Sequence, residues 1–83
     1  MMSNYELYDT NDEKIFHKIC RHIEKYYPNL RKERECIDID GSVIIVYSYG
    51  NDKITIVNDT TWGYIFAETN LDLTACVAHL KVC

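Results

Sequence analysis

Five of the seven cysteine and histidine residues of this chain fall into two groups: His17 with Cys20, and Cys76 with His79 and Cys83. Both residue types ligate zinc. Spacings of three and then four residues put the second group on one face of a helix. Familiar zinc sites, however, hold two ligands within one tight loop, and no such pair occurs here. Cys20 and Cys76 also lie on apolar stripes, where a thiol behaves as a small hydrophobe. The sequence therefore predicts no metal site and no cofactor. A Cys–His nucleophile needs an electropositive, partly exposed thiolate, and nothing near Cys20, Cys36 or Cys76 in sequence provides one. Asp38, Asp40 and Asp52 are carboxylates that acid–base chemistry could pair, but Asp40 precedes a glycine and Asp52 follows an asparagine, which is turn and loop chemistry. Asn58-Asp59-Thr60 matches a glycosylation acceptor and reads here as a turn. No glycine-rich phosphate loop, nucleophile elbow or His-Glu-x-x-His pattern is present. Three glycines in 83 residues leave little material for a substrate pocket. The expectation is a protein that is not an enzyme.

The remaining signal is aromatic. Seven tyrosines and one tryptophan occur in this short chain, and Tyr and Trp offer large rigid contact area with a polar tip. Trp62, Tyr64 and Phe66 alternate along one predicted strand and are the candidate partner-binding residues, with Asp38, Asp40, Asp52 and Asp59 as a charged rim.

These residues must be held by a small set of elements. Residues 1–9 show no clear period and read as an arm, followed by a single α+β domain over 10–83. Thr10-Asn11-Asp12-Glu13 reads as a capping box. A helix is predicted from about Asn11 to Tyr27, with Ile15, Phe16, Ile19, Cys20 and Ile23 on its apolar stripe. Pro28 ends it. Four strands follow: Glu35–Ile39, Ser42–Tyr49, Lys53–Val57 and Thr61–Ala67, separated by turn signals at Asp40-Gly41, at Gly50-Asn51 or Asn51-Asp52, and at Asn58-Asp59-Thr60. Thr69-Asn70-Leu71-Asp72 reads as a second capping box, opening a helix over about Asn70–Lys81.

The fold predicted is α-β-β-β-β-α, a four-stranded antiparallel meander with two helices packed on one face. If every loop has two residues, one face carries Ile37, Ile39, Ile44, Val46, Thr55, Val57, Trp62, Tyr64 and Phe66. The other carries Cys36, Asp38, Val43, Ile45, Tyr47, Tyr49, Ile54, Ile56, Gly63, Ile65 and Ala67. The second face, more aliphatic, is the one assigned to the helices. The strands Val43–Tyr49 and Trp62–Ala67 do not alternate apolar and polar residues, so the uncovered face remains apolar, and such patches mark interaction sites.

The order helix, strands, helix resembles that of double-stranded-RNA-binding domains. Those domains carry three strands and a lysine-rich start to the last helix. Here that start is Asn70-Leu71-Asp72-Leu73, a negative charge where phosphates would dock, so the resemblance carries no function across.

The net charge of −4 also disfavours a nucleic-acid backbone as the main partner, and suits a protein partner with a basic surface. No apolar run approaches the ~20 residues of a membrane-spanning helix, and Met1–Glu6 lacks the pattern of a secretion signal. The chain reads as cytoplasmic with free thiols. Phe, Tyr, Met, Ile, Asn and Lys, with AT-rich codons, outnumber Gly, Ala, Arg and Pro, which fits a phage, a virus or a low-GC bacterium. The expected function is a small acidic protein that inhibits a protein partner by occlusion. A phage or mobile-element inhibitor of a host defence nuclease, of the anti-CRISPR or anti-restriction type, fits these generic features, and would act in the host cytoplasm. The alternative is a homodimer joined through the aromatic sheet face, with metal or nucleic-acid binding ranked below it.

Overall fold

The computed structural model describes residues 3–82. Five strands and two helices occur in the order β1 (Ser3–Tyr8), α1 (Glu13–Tyr26), β2 (Arg31–Ile37), β3 (Val43–Tyr49), β4 (Asp52–Asp59), β5 (Tyr64–Thr69) and α2 (Thr74–Val82). All neighbouring strands are antiparallel, in the spatial order β1-β5-β4-β3-β2. The fold is α+β, with one strand more than the sequence predicts. Residues 3–8 pair with the free side of β5, so the sheet is a meander from β2 to β5 with β1 added beside its last strand. Helix α1 carries the chain from that edge back to the opposite one.

Helix α1 forms because Phe16, Ile19, Cys20 and Ile23 recur on one side and are buried together. Its cap is Asp12 rather than Thr10: Asp12 Oδ1 accepts from the backbone N–H of Lys14 (2.8 Å) and of Ile15 (3.2 Å). Helix α2 likewise begins later than predicted, with Asp72 Oδ1 accepting from the Thr74 N–H at 3.0 Å. Leu73 and Cys76 are buried beneath it.

Both helices share a core with one face of the sheet, that of Ile45, Tyr47, Ile54, Ile56, Ile65 and Ala67. Inside that core the Tyr47 hydroxyl donates to Glu24 at 2.5 Å, so this buried polar group is satisfied. The face of Ile44, Val46, Val57, Tyr64 and Phe66 is left half-buried by its own neighbours.

Loop length decides the faces. The β3–β4 turn has the predicted two residues, and Tyr47 pairs Ile54 and Ile45 pairs Ile56 as expected; Gly50 takes the positive φ of +62° at the first turn position. The β2–β3 connection instead has three loop residues, Ile39, Asp40 and Gly41. It is closed by the Asp38 N–H donating to the Ser42 carbonyl at 2.8 Å, with Gly41 at φ +89°. That one-residue difference inverts β2: Cys36 pairs Ile44 on the open face, and Ile37 pairs Val43 on the helix side. The β4–β5 turn is longer too. Asp59 pairs Tyr64 and Val57 pairs Phe66, which keeps Tyr64 and Phe66 on the open face but places Trp62 in the turn.

Candidate functional site

The predicted site residues divide between the two ends of the sheet. Asp38, Asp40, Asp59, Trp62 and Tyr64 lie at one end, with Phe66 running from it onto the open face. Asp52 lies at the opposite end, where it pairs Tyr49 and accepts from Asn70 Nδ2 at 2.6 Å. It is not brought to the others.

The end that gathers them is a tip made from the loop 38–42 and the turn 59–63, tied together by side-chain hydrogen bonds. The Thr60 N–H donates to Ser42 Oγ (3.0 Å), the Thr60 hydroxyl to the Asp40 carbonyl (2.7 Å), and the Thr61 hydroxyl to Asp40 Oδ2 (2.6 Å). Asp40 Oδ1 accepts from the Ser42 N–H at 3.0 Å. The Thr61 hydroxyl, followed by the Ser42 N–H, holds the Asp40 carboxyl down at about 2. Asp59 Oδ1 accepts from the N–H groups of Thr61 (2.8 Å) and Trp62 (3.2 Å), as a helix cap would, and the Gly63 N–H closes the turn on the Asp59 carbonyl at 3.0 Å. The aspartates of the tip are thus its scaffold as well as its charge.

This scaffold displays apolar surface. Trp62 is 78% exposed and Ile39 fully so. Beneath them the rings of Tyr64 and Phe66 stack at 5.2 Å. Glu6 and Asp9 of the β1 end line a shallow groove with Trp62 and Tyr64. These two carboxylates were hidden from sequence reasoning, because residues 3–8 show only Tyr5 and Leu7 in alternation, too short a signal for a strand. Segments 6–9, 38–42 and 59–64 contain no Lys or Arg, so the tip is acidic throughout.

Among the described residues the cysteine and histidine groups do not assemble. Cys20 is buried while His17 is exposed on α1, and Cys76 is buried while His79 is exposed on α2. Cys83 lies outside the described residues. Among the described residues no three His, Cys, Asp or Glu side chains gather where they could hold a metal ion. Burial pushes the Cys20 thiol up to about 11 and raises that of Cys76, so both are protonated at neutral pH. The rings of His22 and His79 stack at 5.7 Å between the helices. No helix among the described residues is long and apolar enough to cross a membrane.

Compared with protein-family models, curated proteins and solved structures, the chain matches none.

Proposed function

We propose that this protein is a small non-catalytic binding protein that blocks a protein partner by occlusion, docking through the tip of residues 38–42 and 59–64. One observation carries this reading: an indole 78% exposed to solvent, on a turn whose backbone is already fixed by Asp59 and tied to Asp40. A large apolar side chain on a pre-ordered turn loses little conformational freedom on binding. Trp is also among the residues that dominate binding energy in interfaces. The surrounding carboxylates, with no cation among them, suit a partner with a basic surface and would steer the encounter. Nucleic-acid enzymes carry such surfaces, and a host defence nuclease inhibited by a phage or mobile-element protein is the partner class we favour. Small size, acidity and AT-rich coding composition support this partner class.

The test is affinity capture from the natural host with the wild-type chain and Trp62→Ala side by side, read by mass spectrometry. A protein retained by the wild type and lost by the variant is expected, with the two chains melting within a few degrees of each other. Equal recovery by both would remove the tip as the docking site.

A further inference from the structure

The edge strand β2 is exposed along its whole length, Arg31–Ile37, and its outer side pairs with no other strand among the described residues. An edge of this kind presents a row of backbone donors and acceptors to any strand that can lie beside it. Charged side chains commonly guard such edges, and Arg31-Lys32-Glu33-Arg34-Glu35 is heavily charged. The arrangement of the charges, however, is self-complementary. Laid antiparallel to itself about a point between Glu33 and Arg34, the segment sets Glu33 opposite Arg34, Lys32 opposite Glu35, Arg31 opposite Cys36 and Leu30 opposite Ile37. Opposite charges meet at the centre and apolar residues at the ends, the pairing that stabilises neighbouring strands.

A bulge at Glu33 makes this register sterically correct. A two-fold axis perpendicular to a sheet keeps each side chain on its own face, so paired residues must already share a face. In a regular strand residues three apart point to opposite faces. The register shift between Lys32 and Arg34 inserts one residue, and Lys32 and Glu35 consequently form an ion pair with each other on the helix side. On the open face, Arg31 pairs Ser48, Glu33 accepts from the Ser48 hydroxyl at 2.7 Å, and Arg34 pairs Val46. Cys36, beside Ile44, shares that face. Each residue of the antiparallel register therefore meets its complement on the same side. Ile37, 74% exposed in the single chain, gains an apolar neighbour.

We infer that β2 is a self-recognition edge, through which two copies of this chain join their five-stranded sheets into one continuous antiparallel sheet about a two-fold axis. The charged strand rejects other strands and accepts its own sequence, discrimination by charge as well as attraction. Trp62, in the β4–β5 turn, lies outside this edge.

The test compares the full-length wild type, Lys32→Glu and the double swap Lys32→Glu with Glu35→Lys, under reducing conditions, by sedimentation over a concentration series up to the millimolar range. Both substituted positions, 32 and 35, lie on an exposed strand, so folding is not at stake. The wild type is expected to dimerise. Lys32→Glu replaces two attractive pairs with two repulsive ones and should weaken the dimer roughly tenfold or more, while the double swap restores it. A wild type monomeric at millimolar concentration, a dimer indifferent to Lys32→Glu, or a double swap as weak as the single change would each overturn the inference. Trp62→Ala should leave the dimer intact, so this inference and the tip reading fail independently.

Discussion

The two edges of the sheet are treated in opposite ways. In β1, Leu7 is buried, Tyr5 is half-buried, and the Tyr5 hydroxyl accepts from the Leu73 N–H at 3.2 Å, which fastens the strand to the start of α2. In β2 every residue is exposed. Among the described residues both strands have one unpaired side, so openness alone does not explain the contrast. The cause is the reach of the helices: their common core includes residues of β1, β5, β4 and β3 but none of β2. A strand under the helices must supply apolar side chains, whereas a strand beyond them can carry five charges in a row without desolvating any. Coverage in this protein therefore runs out sideways as well as on the open face, and the surface left over is an edge and a tip as much as a flat sheet.

The contrast can be broken at β1. Leu7→Ala should cost about 2–5 kcal/mol of stability, the usual range for truncating a buried leucine, as measured by urea unfolding. Ile37→Ala, studied at concentrations where the chain is monomeric, should stay within about 0.5 kcal/mol. A comparable loss at both positions would mean that β2 is packed after all. A smaller effect is expected at the polar fastening. Tyr5→Phe removes the acceptor for the Leu73 N–H and should lower stability by about 1 kcal/mol, with faster amide exchange at Leu73 as its specific mark.

The smallest effect concerns the loop that follows β2. Asp40 there is held at about 2, below its ordinary 3.8, chiefly by the Thr61 hydroxyl. A depressed carboxylate stabilises the fold above its ordinary value, and that contribution fades as pH falls from about 4 through about 2. Nuclear magnetic resonance should place the Asp40 midpoint near 2 in the wild type and closer to 3.8 in Thr61→Val. An unmoved midpoint would show that the loop and the turn are not coupled through that hydroxyl.

The elements that were legible in the sequence are those whose pattern repeats. Helix α1 shows four buried positions at helical spacing, and β3 and β4 are long enough for their pairing to follow from a two-residue turn. Strand β1 shows its alternation only twice, at Tyr5 and Leu7, so nothing distinguished it from an arm. Thr10 and Asp12 both offer an acceptor at the start of α1, and only the backbone geometry selects Asp12 as its cap. Asp40-Gly41 is equally compatible with a two- or a three-residue loop, since both use a glycine at positive φ; the choice, made by tertiary contacts with Thr60 and Thr61, sets the faces of β2. For the site, turn chemistry pointed to Asp40 and Asp59, and the apolar spacing pointed to Tyr64 and Phe66. Asp52 shares only its charge with them and lies at the far end. Glu6 and Asp9 were lost with β1, and the bulge at Glu33 has no sequence signature at all.

Trp62 is the only tryptophan in the chain, and it stands in water while the core is built from other residues. Its intrinsic emission should therefore be red-shifted in the native protein and change little when the chain melts, so a fluorescence melt will be nearly silent where circular dichroism shows a full transition. The same indole becomes a clean optical reporter of anything that covers the tip, because a blue shift on mixing can come only from the loss of its solvent and not from the folding of the domain.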